Sequence, residues 1–221
     1  QGVEKDIQKA VALFTLAATK ENSFAAFALG KLYLAGDAAL PRDPAAALKW
    51  LTYAAELGNQ FAQYRLGKLL LKGDDGIPKD VITAIRWLTA AAKQENGYAE
   101  YALALVYLTG EDAPKDSVKA LSLLKRSAGR GNQFAQYRLG KLLLQGEDAP
   151  KDVKAAIRWL TAAAEQGNQY AQYALGKLYL LGKEVPKDRS SAIKWFQLAA
   201  DQGNEYAQYF LKHMDDRLGQ P

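Results

Sequence analysis

The sequence predicts an all-α fold: a right-handed α-α superhelix (solenoid) of stacked antiparallel helix pairs, with about 12 helices. Two observations support this prediction. Two kinds of helix-start residue recur every 36 or 37 residues, and the segments between them carry apolar residues at spacings of three and four. A fixed period of this size is typical of repeat proteins, and the apolar spacing is typical of helices rather than strands.

The first start signal is an asparagine. Glycine precedes it in four of the six copies, and a glycine with positive φ can end one helix while the asparagine side chain caps the next. This pattern predicts a tight turn between helices. The asparagines are Asn22, Asn59, Asn96, Asn132, Asn168 and Asn204.

The second start signal is an aspartate, which in five copies ends a Pro-Lys-Asp or Pro-Arg-Asp sequence. Proline stops the earlier helix and aspartate caps the new one, so this connection is predicted to be longer and looser. The aspartates are Asp6, Asp43, Asp80, Asp116, Asp152 and Asp188.

We call the asparagine-started helices A-helices and the aspartate-started helices B-helices, and count positions from the start residue. A-helices carry alanine at +3, leucine at +7 and mostly glycine at +8. These residues predict a core face on which neighbouring helices approach closely. In B-helices, Trp50, Trp87, Trp159 and Trp195 share position +7, and we expect them to fill one equivalent buried site in the packing.

The domain prediction is a single array over residues 1–216 and a flexible tail over 217–221. The last A-helix replaces the usual Gly-Lys with Lys212 and His213, and the polar residues 215–217 that follow are expected to form a solvent-facing end. At the other end, Val3 to Asp6 resembles the end of a long inter-helix loop. We therefore expect the chain to begin within a repeat, as a piece of a longer protein.

Composition excludes several classes of protein. The chain has 221 residues, no cysteine and a formal net charge of +5, so a disulfide scaffold and a thiolate metal site are excluded, and a cytoplasmic location is predicted. No stretch approaches the roughly 18 apolar residues of a membrane span. The mildly basic balance gives only weak support for nucleic-acid binding.

Catalytic and metal-binding patterns are not found. The single histidine, His213, takes a position that lysine occupies in other copies, and we expect it to be a surface residue. The acidic pairs 74–75, 111–112 and 147–148 lie in the long loops, where solvated charge is expected, and residues 73–76 lack the ligand spacing of a calcium loop. We therefore predict no enzyme activity, no cofactor and no metal.

The repeat pattern A-x-x-x-L-G-x-L-Y, a loop, P-K-D and A-x-x-W-x-x-x-A-A-x-x-G-N resembles the Sel1-like repeat, a relative of the tetratricopeptide repeat. The resemblance covers almost all of residues 3–214 and implies a non-catalytic scaffold or adaptor that binds other proteins. The segments "GNQYAQYALGKLYL" and "GNEYAQYFL" also look like repeat arrays attached to mobile-element relaxases of gut bacteria, which would imply an accessory module.

By analogy with that family, partners are expected along a concave wall of A-helices. Positions +2, +6, +9 and +13 fall within about 60° of each other, and we call this set the A-helix stripe. It contains seven Lys or Arg and no Asp or Glu. Its candidate partner-binding residues are Lys31, Phe61, Arg65, Lys68, Lys72, Phe134, Arg138, Lys141, Tyr170, Lys177 and Tyr206.

Basic and aromatic residues together predict binding of an acidic or amphipathic polypeptide segment. Three alternatives stay open: the stripe could be a solvated face copied by repetition, a nucleic-acid surface, or part of an architectural spacer or self-association module. No membrane partner is predicted.

Overall fold

A computed structural model of the chain describes residues 6–73 and 76–213. The described residues form twelve α-helices and no β-strand, which confirms the all-α prediction. The first six helices are α1 (Ile7–Ala18), α2 (Ser23–Ala35), α3 (Pro44–Glu56), α4 (Gln60–Lys72), α5 (Val81–Lys93) and α6 (Gly97–Thr109). The other six are α7 (Ser117–Gly129), α8 (Gln133–Gln145), α9 (Val153–Glu165), α10 (Gln169–Leu181), α11 (Arg189–Asp201) and α12 (Glu205–Lys212).

The helices belong to two compact units, residues 1–116 with α1 to α6 and residues 117–221 with α7 to α12. Within each unit, every helix packs against the next one along the chain, and α4 also touches α6. A-helices are the even-numbered and B-helices the odd-numbered ones. Several sequence expectations lie outside the described residues: the loop acids at 74–75, the polar end at 215–217, the end of the array at 216 and the tail at 217–221.

Helix starts follow the two repeated residues. All six asparagine side chains accept a hydrogen bond from the backbone N–H three residues later, as Asn168 does from Ala171 at 3.0 Å. Aspartates cap B-helices in the same way, as Asp152 does for Ala155 at 2.9 Å. Each cap satisfies an N–H that has no carbonyl partner within the helix, so the helix begins at the following residue.

The tight turn before each A-helix requires a residue with positive φ. Four glycines adopt φ between 84° and 88° there, namely Gly58, Gly131, Gly167 and Gly203. In the other two copies of this turn, Glu21 and Glu95 adopt φ of 61° and 66°. Such a conformation costs a residue with a Cβ atom about 1 kcal/mol, so these two turns are less favourable than the glycine turns.

The glycines at position +8 of the A-helices allow close packing against the B-helix that follows. A Cβ atom added at Gly140 would lie 2.7 Å from Leu160 Cγ, and one at Gly67 would lie 2.6 Å from Leu88 Cγ. Leu88 and Leu160 are fully buried. The contact places the +8 residue of a B-helix against bare backbone, which is the close approach that the sequence predicts.

The tryptophans are less buried than the sequence suggested. Trp50, Trp87, Trp159 and Trp195 are each only partly buried, whereas the next residue of the same helix is fully buried in all four cases, as Leu51 and Phe196 illustrate. Trp50, Trp87 and Trp195 pack against the core, as expected, but the fully buried position is +8 rather than +7. A cation one residue earlier stacks on three of the rings, with distances of 5.0 to 6.0 Å from the cation to the ring centroid.

Buried glutamines at position +4 of the A-helices connect successive repeats. Gln172 is 3% exposed and donates to the Ala164 backbone oxygen at 3.0 Å. Its own side-chain oxygen accepts from Gln202, at the end of the next B-helix, at 2.8 Å. The same pair of bonds occurs at Gln136 with Gln166. Glu100 takes the equivalent position in α6 and is also fully buried.

Candidate functional site

The A-helix stripe lies on the exposed side of the A-helices in both units. In the first unit, Lys31, Arg65, Lys68 and Lys72 are exposed. In the second unit, Lys177 is exposed, while Arg138 and Lys141 are half-buried. The aromatic residues at +2 are also exposed, from 44% for Phe134 to 71% for Tyr206. Each unit therefore presents both cations and rings to solvent.

Four of the rings at +2 pack against the ring at +5 of the preceding A-helix in the same unit. The ring centroids are 6.4 Å apart for Phe61 and Phe27, and 5.8 Å apart for Tyr98 and Tyr64. In the second unit the distances are 6.0 Å for Tyr170 and Tyr137, and 5.9 Å for Tyr206 and Tyr173. These tilted ring contacts stabilise the stacking of A-helices, while each +2 ring remains exposed to solvent.

The lysines at +9 are positioned by the same rings. The Nζ atoms of Lys31, Lys68 and Lys141 lie 5.7, 5.9 and 5.8 Å from the centroids of Phe27, Tyr64 and Tyr137. One helical turn separates each lysine from its ring, so the cation–π contact is local. Its effect is to hold the ammonium group above the stripe.

Two tyrosines beneath the stripe have altered acidity. Burial raises the pKa of Tyr64 above its ordinary value of 10.0, although the neighbouring Arg65 guanidinium lowers it. Burial, with a smaller contribution from Tyr206, also raises the pKa of Tyr173. Both phenols consequently remain protonated at neutral pH and can donate hydrogen bonds to an anionic group.

A groove of about 340 Å³ opens in the second unit between α8 and α10. Its apolar lining comes from Tyr137 and Leu144 of α8 and from Tyr173, Leu178 and Leu181 of α10. Lys141, Lys177, Lys183 and Glu184 also line it. We call it the α8–α10 groove; its volume is at the lower end of the range for ligand sites in proteins.

Sequence reasoning missed part of this groove. Lys141 and Lys177 belong to the stripe, but Lys183 and Glu184 lie in the loop after α10, where helical periodicity gives no signal. Leu144 and Leu178 were also missed, because their positions, +12 and +10, do not belong to the A-helix stripe. The available clue was the residue after the loop glycine, which is acidic in the other copies and lysine at position 183.

A second groove of about 790 Å³ lies on the B-helix side of the first unit. Trp50, Tyr53, Leu48 and Lys49 of α3 line it together with Thr19 at the end of α1. The Trp50 and Tyr53 rings meet edge to face at 6.2 Å. No candidate binding residue from the sequence lies here, because Trp50 was interpreted as a packing residue and the other lining residues were not singled out.

The remaining polar candidates have structural contacts. His213 is half-buried at the end of α12, and its Nδ1 atom lies 2.8 Å from the Tyr209 backbone oxygen. In the loops, Asp112 pairs with Lys79 at 2.6 Å and Glu184 with Lys151 at 2.7 Å. Over residues 6–73 and 76–213, no group of three His, Cys, Asp or Glu side chains is arranged to hold a metal ion.

Comparison with known families identifies the repeat. The Sel1 repeat profile matches six consecutive segments that together cover residues 1–204, and their boundaries are 1–22, 23–59, 60–96, 97–132, 133–168 and 169–204. The chain belongs to the Sel1 repeat family. This confirms the resemblance drawn from the sequence, and Sel1 repeats generally act as non-catalytic scaffolds for protein–protein interaction.

Solved structures of Sel1 repeat proteins share this fold. A protective antigen of uropathogenic Escherichia coli strains, described as having an SLR fold, is 34% identical with a TM-score of 0.86 and matches 100% of this chain and 47% of its own. A Sel1 repeat protein of Oxalobacter formigenes is also 34% identical with a TM-score of 0.86, over 97% of this chain and 62% of its own. This chain thus spans only about half to three fifths of these relatives.

A more distant match shows the fold alone. An immunity protein of Pseudomonas aeruginosa is 23% identical with a TM-score of 0.57, over 89% of this chain and 72% of its own. Comparison with curated proteins gives no match. The looser resemblance to relaxase-attached arrays finds no support in these comparisons. Among the described residues, no helix has the length and apolar character needed to cross a membrane.

Proposed function

We propose that these Sel1 repeats form a non-catalytic scaffold that binds an acidic or amphipathic polypeptide segment on the A-helix stripe. One observation carries the proposal: the stripe has seven Lys or Arg, five exposed and two half-buried, and no Asp or Glu, in a chain with 29 basic and 24 acidic residues. Charge complementarity of this kind steers association and selects partners. The accessible +2 rings provide the large apolar contacts that binding surfaces need.

The proposal centres on two pairs of cations, Arg65 with Lys68 in the first unit and Arg138 with Lys141 in the second. Each pair occupies +6 and +9 of one A-helix and is flanked by an exposed ring at +2, Phe61 or Phe134. The cation–π contacts of Lys68 and Lys141 hold their side chains in place. Less side-chain entropy is therefore lost when a carboxylate binds.

A fluorescein-labelled random copolymer of glutamate and tyrosine tests the proposal, since it combines carboxylates with rings. Fluorescence anisotropy at low salt should detect binding to the native chain. Replacing Arg65, Lys68, Arg138 and Lys141 by glutamate should weaken it at least about tenfold, because interfacial charge reversal is worth several kcal/mol.

A matched variant separates the position of the charges from their number. Lys49, Arg86, Arg158 and Lys194 are exposed cations of the B-helices, and replacing them by glutamate changes the net charge equally. This variant should retain most of the affinity. Equal loss in both variants, with circular dichroism showing that both remain helical, would refute the proposal.

Nucleic-acid binding is the second candidate, since the same seven cations could contact phosphates. Its affinity would fall with salt at a log–log slope of about 0.7 to 0.9 per phosphate contact. Anisotropy with labelled single-stranded and double-stranded oligonucleotides of matched charge measures this slope. Binding of oligonucleotides that is tighter than binding of the copolymer would favour this second function.

A further inference from the structure

Two residues of the α8–α10 groove depart from the residue types that the other repeats carry at the same positions. Position +13 of the A-helices holds Ala35, Lys72, Thr109 and Gln145, whereas α10 has Leu181. The residue after the loop glycine is acidic in four copies, at Asp37, Asp74, Glu111 and Glu147, whereas the copy after α10 has Lys183. Both departures line the same groove.

Lys183 changes the charge of the groove. Three ammonium groups, from Lys141, Lys177 and Lys183, line it together with one carboxylate, that of Glu184. Lys151 Nζ lies 2.7 Å from Glu184 Oε1, so this carboxylate already has a cationic partner. The remaining positive charge favours an anionic occupant and disfavours a cationic one.

Leu181 makes the groove amphipathic. Its side chain is 42% exposed, and it lines the groove together with Leu144, Leu178 and the two tyrosines. Ala174, which stands at the position that arginine holds at 65 and 138, leaves room above α10. A small inorganic anion would leave this apolar surface in contact with water, and burying it contributes about 25 cal/mol per Å².

We propose that the α8–α10 groove is the principal anchor of this scaffold, and that its occupant is an acidic peptide segment in which carboxylates flank a large apolar side chain. The inference rests on the proposed function and assigns it to one subsite. The apolar side chain enters between Leu181 and the tyrosines. The flanking carboxylates pair with Lys177 and Lys183 at the rim.

The probe is a short fluorescein-labelled peptide of alternating glutamate and phenylalanine, with two companion peptides in which serine replaces phenylalanine or glutamine replaces glutamate. Anisotropy at low salt should show binding of the first peptide. Each companion should bind at least about tenfold more weakly, because one lacks the apolar side chains and the other lacks the carboxylates.

Two substitutions restore residue types of the other repeats and so should leave the fold intact. K183E should weaken binding about tenfold or more, and Leu181→Gln several-fold. Matched controls lie on B-helix α11: K194E makes the same charge change, and Leu198→Gln replaces a leucine that is 40% exposed. Both controls should bind the peptide like the native chain. Equal affinity of the native chain and K183E, or equal losses in variants and controls, would overturn the assignment.

One further variant separates this inference from the proposed function. If Arg65→Glu with Lys68→Glu abolishes peptide binding while K183E does not, the stripe remains supported and the groove is rejected as the anchor. If the peptide does not bind the native chain but the glutamate–tyrosine copolymer does, the groove assignment is rejected and the proposed function remains supported. Tighter binding of an oligonucleotide that is equally sensitive to K183E would reject a peptide as the occupant.

Discussion

The side-chain amide of Gln202 donates to the side-chain oxygen of Gln172 at 2.8 Å, and Gln172 in turn donates to the Ala164 backbone oxygen at 3.0 Å. Gln172 is buried, whereas Gln202 is exposed. A buried amide must satisfy its donors and its acceptor, and here one side chain does both by linking two helix pairs.

Gln172→Leu should lower the free energy of unfolding by about 1–2 kcal/mol, because it removes two hydrogen bonds from a buried site. Urea denaturation followed by circular dichroism measures the change. Gln208→Leu is the matched control, since Gln208 makes the equivalent bond to Ala200 at 3.3 Å but is exposed, and its loss should be smaller. A larger loss for Gln208→Leu than for Gln172→Leu would contradict this account.

Gly140→Ala should destabilise the second unit by about 1–3 kcal/mol, because the added methyl group would overlap Leu160 and force repacking. Gly129→Ala is its control, because a Cβ atom at Gly129, within helix α7, meets no atom within 4 Å. That variant should be neutral or slightly stabilising, since alanine has the higher helix propensity. Thermal unfolding should show a lower Tm for Gly140→Ala and an unchanged or slightly higher Tm for Gly129→Ala.

Glu21→Gly should raise the free energy of unfolding by about 0.5–1 kcal/mol, because glycine adopts positive φ without the steric cost of a Cβ atom. The reverse change is Gly167→Ala, at a glycine with φ of 88° and open space around its Cα. It should lose about 1 kcal/mol through backbone strain alone. Chemical denaturation of both variants tests the pair, and a Glu21→Gly protein less stable than the native chain would show that the strain argument is wrong.

The cap at Asp188 should give stability a pH dependence. Hydrogen bonds from the Ser191 side chain and backbone N–H hold the pKa of Asp188 below its ordinary value of 3.8. A lowered pKa means that the folded state favours the ionised carboxylate, so the stabilisation is complete above pH 3.8 and is lost as the pH falls through the lowered pKa.

Ser191→Ala should therefore move the pKa of Asp188 partway back toward 3.8, because the hydroxyl that donates to Oδ2 at 2.6 Å is removed and the backbone donor remains. An NMR titration of the carboxyl carbons measures it. Asp80 serves as an internal control, since its pKa is lowered mainly by hydrogen bonds from Thr83. No change at Asp188, or an equal change at Asp80, would contradict the assigned cause.

Local rules in the sequence were enough to place the helices. Asn168 and Asp152 cap helices because their short side chains reach a free N–H, and Gly140 permits close packing because it has no Cβ atom. Capping depends on one residue and its immediate chain neighbours, and the glycine recurs at one position of the repeat, so both signals can be recognised in the sequence. Because these features recur along the chain with a fixed period, they indicate both the all-α class and the repeat family.

Burial of a large side chain depends on neighbours from other helices, and there the sequence was insufficient. Periodicity alone could not show that Trp195 is only partly buried while Phe196 is fully buried, because the two positions differ by one step around the helix. The Gly176 backbone decides it, since a Cβ atom there would lie 2.6 Å from the Phe196 ring.

The sequence by itself determined which side chains form the A-helix stripe, because the exposed face of a repeated helix recurs at one register. Only the tertiary structure decided where a groove opens. The α8–α10 groove combines residues of two helices 36 positions apart with Lys183 of a loop. Loop side chains follow no helical period, so periodicity could not indicate Lys183. The space between two helices depends on the volume of side chains from both, so the groove forms only when the helices pack.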